Sequence, residues 1–245
     1  MKKTILITLF LTVFLFQGNA QEPPVKVSPA DDASQFVNLA EAVPDVILEI
    51  RYYSTYNFVG TRIDGYNAPV ALLTRRAADS LRAVSDELMQ QGYRLKIYDA
   101  YRPQCAVDHF VRWASDTADT LMKPYFYPQL HKGVLFKQGY IARRSGHTRG
   151  STVDLTLVDM RTGKEVDMGG VFDWFGEESH PFYGMDPRTG KIRDHQKITA
   201  EQFNNRMILR KAMMRHGFKP ISTEWWHFTL RNEPFPNTYF RFPVE

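Results

Sequence analysis

Apolar residues recur at helical spacing in three segments of the chain, and residues that begin or end helices flank each segment. Residues 74–92 predict the first helix, with Thr74 as its N-cap and Gly92 at its end. Residues 103–116 predict the second, with Pro103 in its first turn. The apolar face of the first helix carries Ala77, Leu81, Val84 and Leu88. We expect both helices to flank a sheet.

The third helical segment covers residues 199–217. Thr199 and Gln202 have the spacing of a capping box, in which each side chain bonds the other residue's backbone N–H. Gly217 is the expected end of this helix. Its buried side is expected to carry Phe203, Met207 and Met214.

Strands are indicated where β-branched and aromatic residues alternate with polar ones. The pattern predicts strands in residues 43–54, 93–100 and 224–231, and a hairpin in residues 151–168 that turns at 161–163. In the hairpin, Val153, Leu155 and Leu157 face one way, and Thr152, Asp154 and Thr156 face the other. Together with the helices, these strands predict a single α+β domain with a mostly antiparallel central sheet flanked by helices.

The first twenty residues have the composition of a secretory signal peptide. Two lysines precede an apolar run from Ile5 to Phe16, and small residues follow up to Ala20. The run is too short to span a bilayer comfortably, so we expect cleavage after Ala20, with an uncleaved anchor as the alternative. We therefore expect residues 1–20 to be a signal peptide and residues 21–42 an exposed leader. Residues 43–245 would form the domain of an exported, periplasmic protein.

The charge and the cysteine content argue against a nucleic-acid-binding protein and against a domain held together by disulfides. The chain has 245 residues, with 31 Lys and Arg against 27 Asp and Glu. Loss of Lys2 and Lys3 with the signal peptide would leave a net charge near +2, which is too weak to indicate a nucleic-acid partner. Cys105 is the single cysteine, so the chain forms no internal disulfide, and we expect a buried or pocket-side thiol that is not a nucleophile. No later apolar run reaches membrane-spanning length.

Candidate chemistry begins in the segment RRSGHTRGSTVDLTLVD. His147 lies in a loop that contains glycine, and Asp154 lies on the polar side of the strand that follows. A loop can fold back over the start of a strand, so imidazole and carboxylate could bind one metal ion, and both are good zinc ligands. A surface loop with no metal is the alternative for this pair.

Two further segments could complete a catalytic site. In STEWWHFTL, Glu224 and His227 can face one cleft only if the backbone bends between them, since a regular strand would turn them to opposite faces. His227 would then be a third metal ligand, and Glu224 has the chemistry of a general base. In YDAYRPQ, Arg102 could stabilise an oxyanion, or it could form a structural ion pair with Asp99.

These segments together resemble the D-alanyl-D-alanine dipeptidases of the VanX type. Those enzymes belong to a wider group of zinc peptidases that includes D,D-carboxypeptidases and is similar to the hedgehog signalling domain. The resemblance covers residues 48–243. The segments that carry it, in family order, are RYYSTYNFVG, DGY, YDAYRP, SGHTRGSTVDLTL, DMGGVFDWFGEESH and EWWHFTLRNEPFPNTYFRFP.

The resemblance implies a role for each matching position. It implies a zinc-dependent hydrolase that binds one zinc ion per chain in a cleft on the sheet and converts the small dipeptide D-Ala-D-Ala to two D-alanines. The metal ligands would be His147, Asp154 and His227, the catalytic residues Glu224 and Arg102, and the substrate-binding residues Ser145 and Asp173. Asp173 matches the region that holds the free amino end of the substrate.

Two alternatives remain open at this stage. A D,D-carboxypeptidase acting on longer peptidoglycan peptides would use the same zinc ligands in a more open pocket. A hedgehog-like binding module would need neither Glu224 nor Arg102. The long loop of residues 169–197 could close the cleft and favours the dipeptidase. The signal peptide, absent from cytoplasmic antibiotic-resistance enzymes, favours a role in scavenging cell-wall peptides. The sequence leaves the oligomeric state open.

Overall fold

The computed structural model describes residues 28–245 except residues 187, 190, 195 and 196. The predicted signal peptide and the first part of the predicted leader, residues 21–27, lie outside the described residues. The described helices are α1 (Leu39–Ala42), α2 (Arg75–Met89), α3 (Gln104–Ser115), α4 (Lys123–Phe126) and α5 (Ala200–Arg215). Across the described residues, every helix is too short or too polar to serve as a membrane span.

Seven strands form two sheets within the described residues. The strands are β1 (Phe36–Asn38), β2 (Ile47–Leu48), β3 (Leu72–Thr74), β4 (Tyr93–Asp99), β5 (Thr152–Asp159), β6 (Phe218–Pro220) and β7 (His227–Leu230). β1 and β3 pair antiparallel, and the other five strands form a sheet in the order β2-β4-β5-β7-β6. In that sheet β2 runs parallel to β4 and the other three pairings are antiparallel, so the sheet is mixed. The single α+β domain is confirmed.

The three long helices occupy the predicted segments. On α2, Ala77, Leu81, Val84 and Leu88 are buried. Thr74 is its N-cap residue, but the Thr74 hydroxyl hydrogen-bonds the Ser151 hydroxyl at 2.9 Å rather than capping the helix. The capping box of α5 is present, with both hydrogen bonds between Thr199 and Gln202. Gly217, just beyond α5, has a φ of +90°, a backbone conformation that favours glycine.

The predicted buried side of α5 is wrong. Its buried residues are Asn205, Arg206, Leu209, Ala212 and Met213, whereas Met214 is 42% exposed. The apolar pattern misplaces this face because one of the most deeply buried side chains is an arginine. Arg206 is 1% exposed, and its burial follows from hydrogen bonds to a neighbouring loop, described below.

The structure differs from the predictions in residues 43–54, in the second half of the predicted hairpin and at the start of the domain. Within residues 43–54, Ile47–Leu48 alone forms a strand. In the predicted hairpin, β5 is present, but the return segment makes a single bridge, between Val158 and Glu165. The folded part of the domain also begins before residue 43, because residues 36–42 form β1 and α1 and Leu39 is fully buried.

Strand β5 lies in the middle of the central sheet, between β4 and β7. Both of its faces are covered, so its polar residues Thr152, Asp154 and Thr156 are as buried as its apolar ones. The register between β4 and β5 shifts between Ile97 and Asp99, and beyond this irregularity Asp99 lies opposite Asp154. A buried carboxylate in the centre of a sheet needs a partner of opposite charge.

Candidate active site

His147 begins a short 3-10 turn, His147–Arg149, which ends at Gly150. Gly150 has a φ of +76°, and a Cβ built on it would lie 2.2 Å from the Phe36 ring, so no other residue fits there. The His147 ring is 1% exposed, and its Nδ1 lies 2.7 Å from the carbonyl oxygen of Ala100. This contact requires Nδ1 to carry the proton that it donates, so Nε2 is the ring nitrogen that could bind a metal.

Asp154 and His227 face each other across paired strands, since β5 and β7 are antiparallel with these two residues in register. The Nδ1 atom of His227 lies 3.1 Å from Oδ1 of Asp154. The Nε2 atom of His147 lies 3.2 Å from Oδ2 of the same carboxylate and 3.3 Å from His227 Nδ1. One ligand atom from each residue falls within 4.8 Å of the other two, as in a group that could hold one metal ion.

The environment of Asp154 fits a bound cation. Its Oδ1 atom is buried and lies 3.1 Å from Nδ1 of His227 without forming a hydrogen bond of regular geometry. Burial alone would raise the pKa of Asp154, but the neighbouring rings of His147 and His227 lower it well below its usual range. Burial disfavours the charged form of His227, yet the neighbouring carboxylates of Asp154 and Glu224 raise its pKa to about 10. The cluster therefore attracts positive charge, which a divalent ion bound by two imidazoles and a carboxylate would supply.

Glu224 lies just before β7, and the backbone bends between Glu224 and His227, as is needed for both side chains to face one cleft. Its Oε2 atom is 3.3 Å from Nδ1 of His227, and the side chain is 32% exposed. Trp225 and Trp226 between them are both buried in the core, which holds the bend in place. Glu224 is therefore next to the possible metal ligands while remaining open to solvent.

Arg102 forms the ion pair considered for it and also lies beside the possible metal ligands. Its Nε and one terminal nitrogen lie 2.9 Å from Oδ2 of Asp99, and that terminal nitrogen lies 3.6 Å from Oδ2 of Asp154. The guanidinium also lies over the rings of Tyr52 and Phe110, at 4.9 and 5.2 Å from their centroids. The predicted ion pair with Asp99 is confirmed, and it holds the guanidinium beside the metal-ligand group.

Asp99 and Tyr66 support the site although the sequence analysis gave neither a catalytic role. Asp99 is fully buried, and its Oδ1 accepts a hydrogen bond of 2.6 Å from the Tyr66 hydroxyl. Its Oδ2 lies 3.5 Å from Nδ1 of His147 as well as in contact with Arg102. Burial raises the pKa of Asp99 above its ordinary value. The available signal was the YDAYRP segment itself, which places an acid three residues before Arg102.

Asp173 has a φ of +62°, and among the described residues it is the one non-glycine with a positive φ. Aspartate tolerates this conformation better than most residues. The carboxylate is 8% exposed, and its Oδ2 accepts a hydrogen bond of 2.9 Å from the Tyr52 hydroxyl. Burial, followed by the nearby charge of Asp154, raises the pKa of Asp173 well above its usual range. A cationic group next to it would favour the ionised form.

The loop that carries Asp173 is fastened to α5 by Arg206. This guanidinium donates hydrogen bonds to the backbone carbonyls of Met168, Glu178 and His180, at 2.6, 2.9 and 2.7 Å. Asp173 lies between these attachment points. The loop is therefore held at both ends by one buried side chain, which an apolar periodicity could not reveal.

A cavity of about 320 Å³ brings the predicted site residues together. The seven predicted site residues line it: Arg102, Ser145, His147, Asp154, Asp173, Glu224 and His227. Ser145 Oγ accepts a 3.2 Å hydrogen bond from the backbone N–H of His147, so its own hydroxyl proton remains available. The volume is near the lower end of the range for small-molecule sites, roughly 300–1,000 Å³.

Cys105 does not contribute to this cavity. It lies on α3, where the structure places it as an exposed free cysteine with Sγ 3.7 Å from the Asp64 carbonyl oxygen. The prediction of a buried or pocket-side thiol is wrong because Cys105 is in the first turn of α3, on the side away from the packed residues Ala106 and Phe110.

Comparisons with known proteins give a consistent result. A family model described as D-ala-D-ala dipeptidase, of the M15 peptidases, matches residues 32–245. A D-alanyl-D-alanine dipeptidase of Enterococcus faecium is 38% identical over 210 residues, which cover 86% of this chain and 98% of the relative. Proteins with the same description from Enterococcus faecalis and Streptomyces coelicolor are 39% and 36% identical, each covering 85% of this chain and 98% of the relative.

Proposed function

This chain belongs to the D-Ala-D-Ala dipeptidase family of M15 peptidases, and we propose that it hydrolyses D-Ala-D-Ala to two D-alanines with one zinc ion. The observation that carries the proposal is the meeting of three possible metal ligands, an acid and a guanidinium in one cavity of dipeptide scale. These five residues come from three segments of the chain, which the central sheet brings together.

The ligands of the ion would be His147, Asp154 and His227. Three protein ligands with a fourth position left for water are typical of catalytic zinc sites. When bound, zinc would lower the pKa of water and polarise the scissile carbonyl. The Ala100 carbonyl fixes the tautomer of His147, and the buried, unbonded Oδ1 of Asp154 supports the placement of a cation.

Glu224 would act as the general base and acid. Its carboxylate lies beside His227 and is partly exposed, so it can reach a water molecule held in the cavity. It takes a proton from the attacking water and delivers the proton to the amine that leaves. No ligand position needs Glu224, because three ligands are already present without it.

Arg102 would stabilise the negative charge that develops on the carbonyl oxygen. Asp99 holds its Nε and one terminal nitrogen, and a guanidinium has five N–H donors, so others remain for the oxyanion. The ion pair with Asp99 and the rings below the guanidinium fix its orientation before substrate arrives.

Asp173 would pair with the free ammonium group of the dipeptide. Its wall of the cavity is completed by Trp174, Phe175 and Ser179, which follow it in the same loop. A substrate extended at its amino end would have to pass this wall and would bring no charge for Asp173. These features favour a dipeptide over the longer wall peptides that a carboxypeptidase would use.

The site of action belongs to the same proposal. A signal peptide over residues 1–20 would export the protein to the periplasm, where D-Ala-D-Ala released from peptidoglycan could be recovered. This role in cell-wall turnover differs from cytoplasmic antibiotic resistance. The composition of the N-terminal segment supports it.

The test is hydrolysis by purified protein freed of metal with a chelator and then given one equivalent of zinc. We expect the zinc-loaded protein to cleave D-Ala-D-Ala and the metal-free protein not to cleave it. The zinc-loaded protein should cleave L-Ala-L-Ala and a wall pentapeptide poorly. His227→Ala should lose both zinc, measured by elemental analysis, and activity. His131→Ala, which changes an exposed histidine outside the cavity, is the matched control. Full zinc occupancy in His227→Ala, or equal rates on the pentapeptide, would contradict the proposal.

A further inference from the structure

Two arginines, Arg102 and Arg144, line the cavity. Arg102 pairs with Asp99 and lies 3.6 Å from Oδ2 of Asp154. Arg144 is exposed and, among the residues that the structure describes, it forms no ion pair; its guanidinium lies over the Tyr239 ring, 5.1 Å from the centroid. We infer that Arg144 binds the carboxylate of the C-terminal residue of the substrate, an inference that rests on the proposed dipeptidase function.

The position of Arg144 along the chain suits this role. It precedes the possible metal ligand His147 by three residues, and Ser145 and Gly146 between them also line the cavity. In a dipeptide the terminal carboxylate belongs to the residue directly after the scissile bond, and consecutive Cα atoms are about 3.8 Å apart. The group that binds this carboxylate must therefore line the same cavity as the metal ligands.

Charge balance leads to the same residue. A free dipeptide carries an ammonium group at one end and a carboxylate at the other. Asp173 supplies a carboxyl group whose structural partner is the neutral Tyr52 hydroxyl. The carboxylate of the dipeptide needs a cationic partner in the cavity. Ser145 is neutral and can add only a hydrogen bond. Arg144 provides the charge and a planar, bidentate fit to a carboxylate.

Tyr239 prepares Arg144 for this role. Its ring lies next to two guanidinium groups, that of Arg144 at 5.1 Å and that of Arg149 at 5.9 Å. Arg149 is already bound through two hydrogen bonds to Glu233. Stacking on the ring limits the rotamers of Arg144 and so reduces the entropy lost when a substrate binds.

The experiment compares two substrates in two variants. The substrates are D-Ala-D-Ala and its C-terminal amide, which lacks the carboxylate charge. The variants are Arg144→Gln and the control Arg143→Gln. Arg143 is exposed and adjacent in sequence, but it stacks on Phe136 and does not line the cavity. Each zinc-loaded protein is assayed for kcat and KM on both substrates.

Arg144→Gln is expected to lower kcat/KM for D-Ala-D-Ala by about tenfold, chiefly through KM, because a charged hydrogen bond to the substrate is lost. It should leave kcat/KM for the amide almost unchanged, and Arg143→Gln should change neither. Arg144→Lys should recover part of the loss, since it restores the charge but not the planar fork. If the amide is cleaved too slowly to follow, its Ki as a competitive inhibitor gives the same comparison.

Equal losses on the acid and the amide, or no loss on either, would overturn the assignment of Arg144. Those results differ from failure of the proposed function itself, which would appear as a wild-type protein unable to cleave D-Ala-D-Ala with zinc bound. A loss in Arg143→Gln equal to that in Arg144→Gln would show that the general positive charge of the segment acts, and would also overturn the assignment.

Discussion

At the scale of single residues, the proton-transfer role proposed for Glu224 can be tested separately from metal binding. Its carboxylate lies 3.3 Å from His227, but the three possible ligands complete their group without it. We expect Glu224→Gln to retain one zinc ion and to lower kcat by about 10²–10⁴-fold, as is typical for loss of a general acid or base. Elemental analysis and steady-state kinetics on the same preparation would measure both quantities.

Glu177→Gln is a suitable control for that variant, because Glu177 is an exposed acid that does not line the cavity. It should keep the wild-type rate. If Glu224→Gln lost its zinc, or turned over at nearly the normal rate, Glu224 would be a ligand or a bystander rather than the base.

A second prediction at this scale concerns Asp173 and the amino end of the substrate. Asp173→Asn keeps a residue type that tolerates the positive φ and removes the negative charge. We expect kcat/KM for D-Ala-D-Ala to fall roughly tenfold or more, while the already slow hydrolysis of N-acetyl-D-Ala-D-Ala changes little. A competition assay with both substrates measures the ratio. Equal cleavage of both substrates by the wild-type protein would mean that Asp173 does not recognise the ammonium group.

At the scale of elements, helix α5 controls the cavity wall through Arg206. Arg206→Met would leave three backbone carbonyls of the loop without their donor, and we expect the free energy of unfolding to fall by about 3 kcal/mol or more. KM for the dipeptide should rise in the same variant. Denaturant unfolding and hydrogen exchange at residues 168–180 would show whether loop and stability change together.

Lys211→Met provides the comparison for Arg206→Met, since Lys211 is an exposed cation on the same helix. It should change neither stability nor KM appreciably. A loop whose hydrogen exchange is unaffected in Arg206→Met would show that other contacts hold it.

The junction of α2 with the end of α5 gives a prediction about pH. Glu87 on α2 accepts hydrogen bonds from Arg215 and His216, and the bond from Arg215 contributes most to lowering its pKa from 4.5 to about 2. A lowered pKa in the folded state stabilises the protein above pH 4.5, and this stability is lost as the pH falls toward 2. Because the pair is partly exposed, we expect about 1 kcal/mol or less.

Glu87→Gln should therefore flatten the loss of thermal stability between pH 5 and pH 2, whereas Asp86→Asn should not. Asp86 lies next to it on α2, and its ion pair among the described residues is a long contact of 3.9 Å with Arg82. Melting curves across that pH range provide the measurement. Parallel pH profiles for Glu87→Gln and the wild-type protein would refute this account.

The sequence predicted long, periodic elements better than short ones. α2, β4, α3 and α5 were located because each repeats its pattern over at least seven residues. β1, β3 and β6 have three residues each, too few for a period to be recognised. The candidate site residues were predicted from their chemical type and their resemblance to a family. Asp99 was predicted only as an ion-pair partner of Arg102, and Arg206 was given no role, because their further contacts come from tertiary packing, which no local pattern records.

At the scale of the whole molecule, the predicted signal peptide leads to a testable prediction about the location of the protein. When the full sequence is expressed in a bacterium with two membranes, the protein should be recovered from the periplasm. Its mass should be that of a chain whose first residue is Gln21. Mass spectrometry of the purified protein and fractionation of the cells measure this. An intact N-terminus retained in the membrane fraction would support the uncleaved anchor instead.

The pairing of Asp154 with His227 also affects when the protein can acquire its metal. His147 and His227 lie 80 positions apart, and a slip of one residue between β5 and β7 would turn His227 to the other face of the sheet. The complete ligand set therefore exists only after the sheet has assembled in this register. An ion that binds only this state stabilises it, by about 2.7 kcal/mol at a concentration 100 times its Kd. If the predicted signal peptide exports the chain unfolded, the ion would be supplied by the compartment in which the chain folds and not by the one in which it is synthesised.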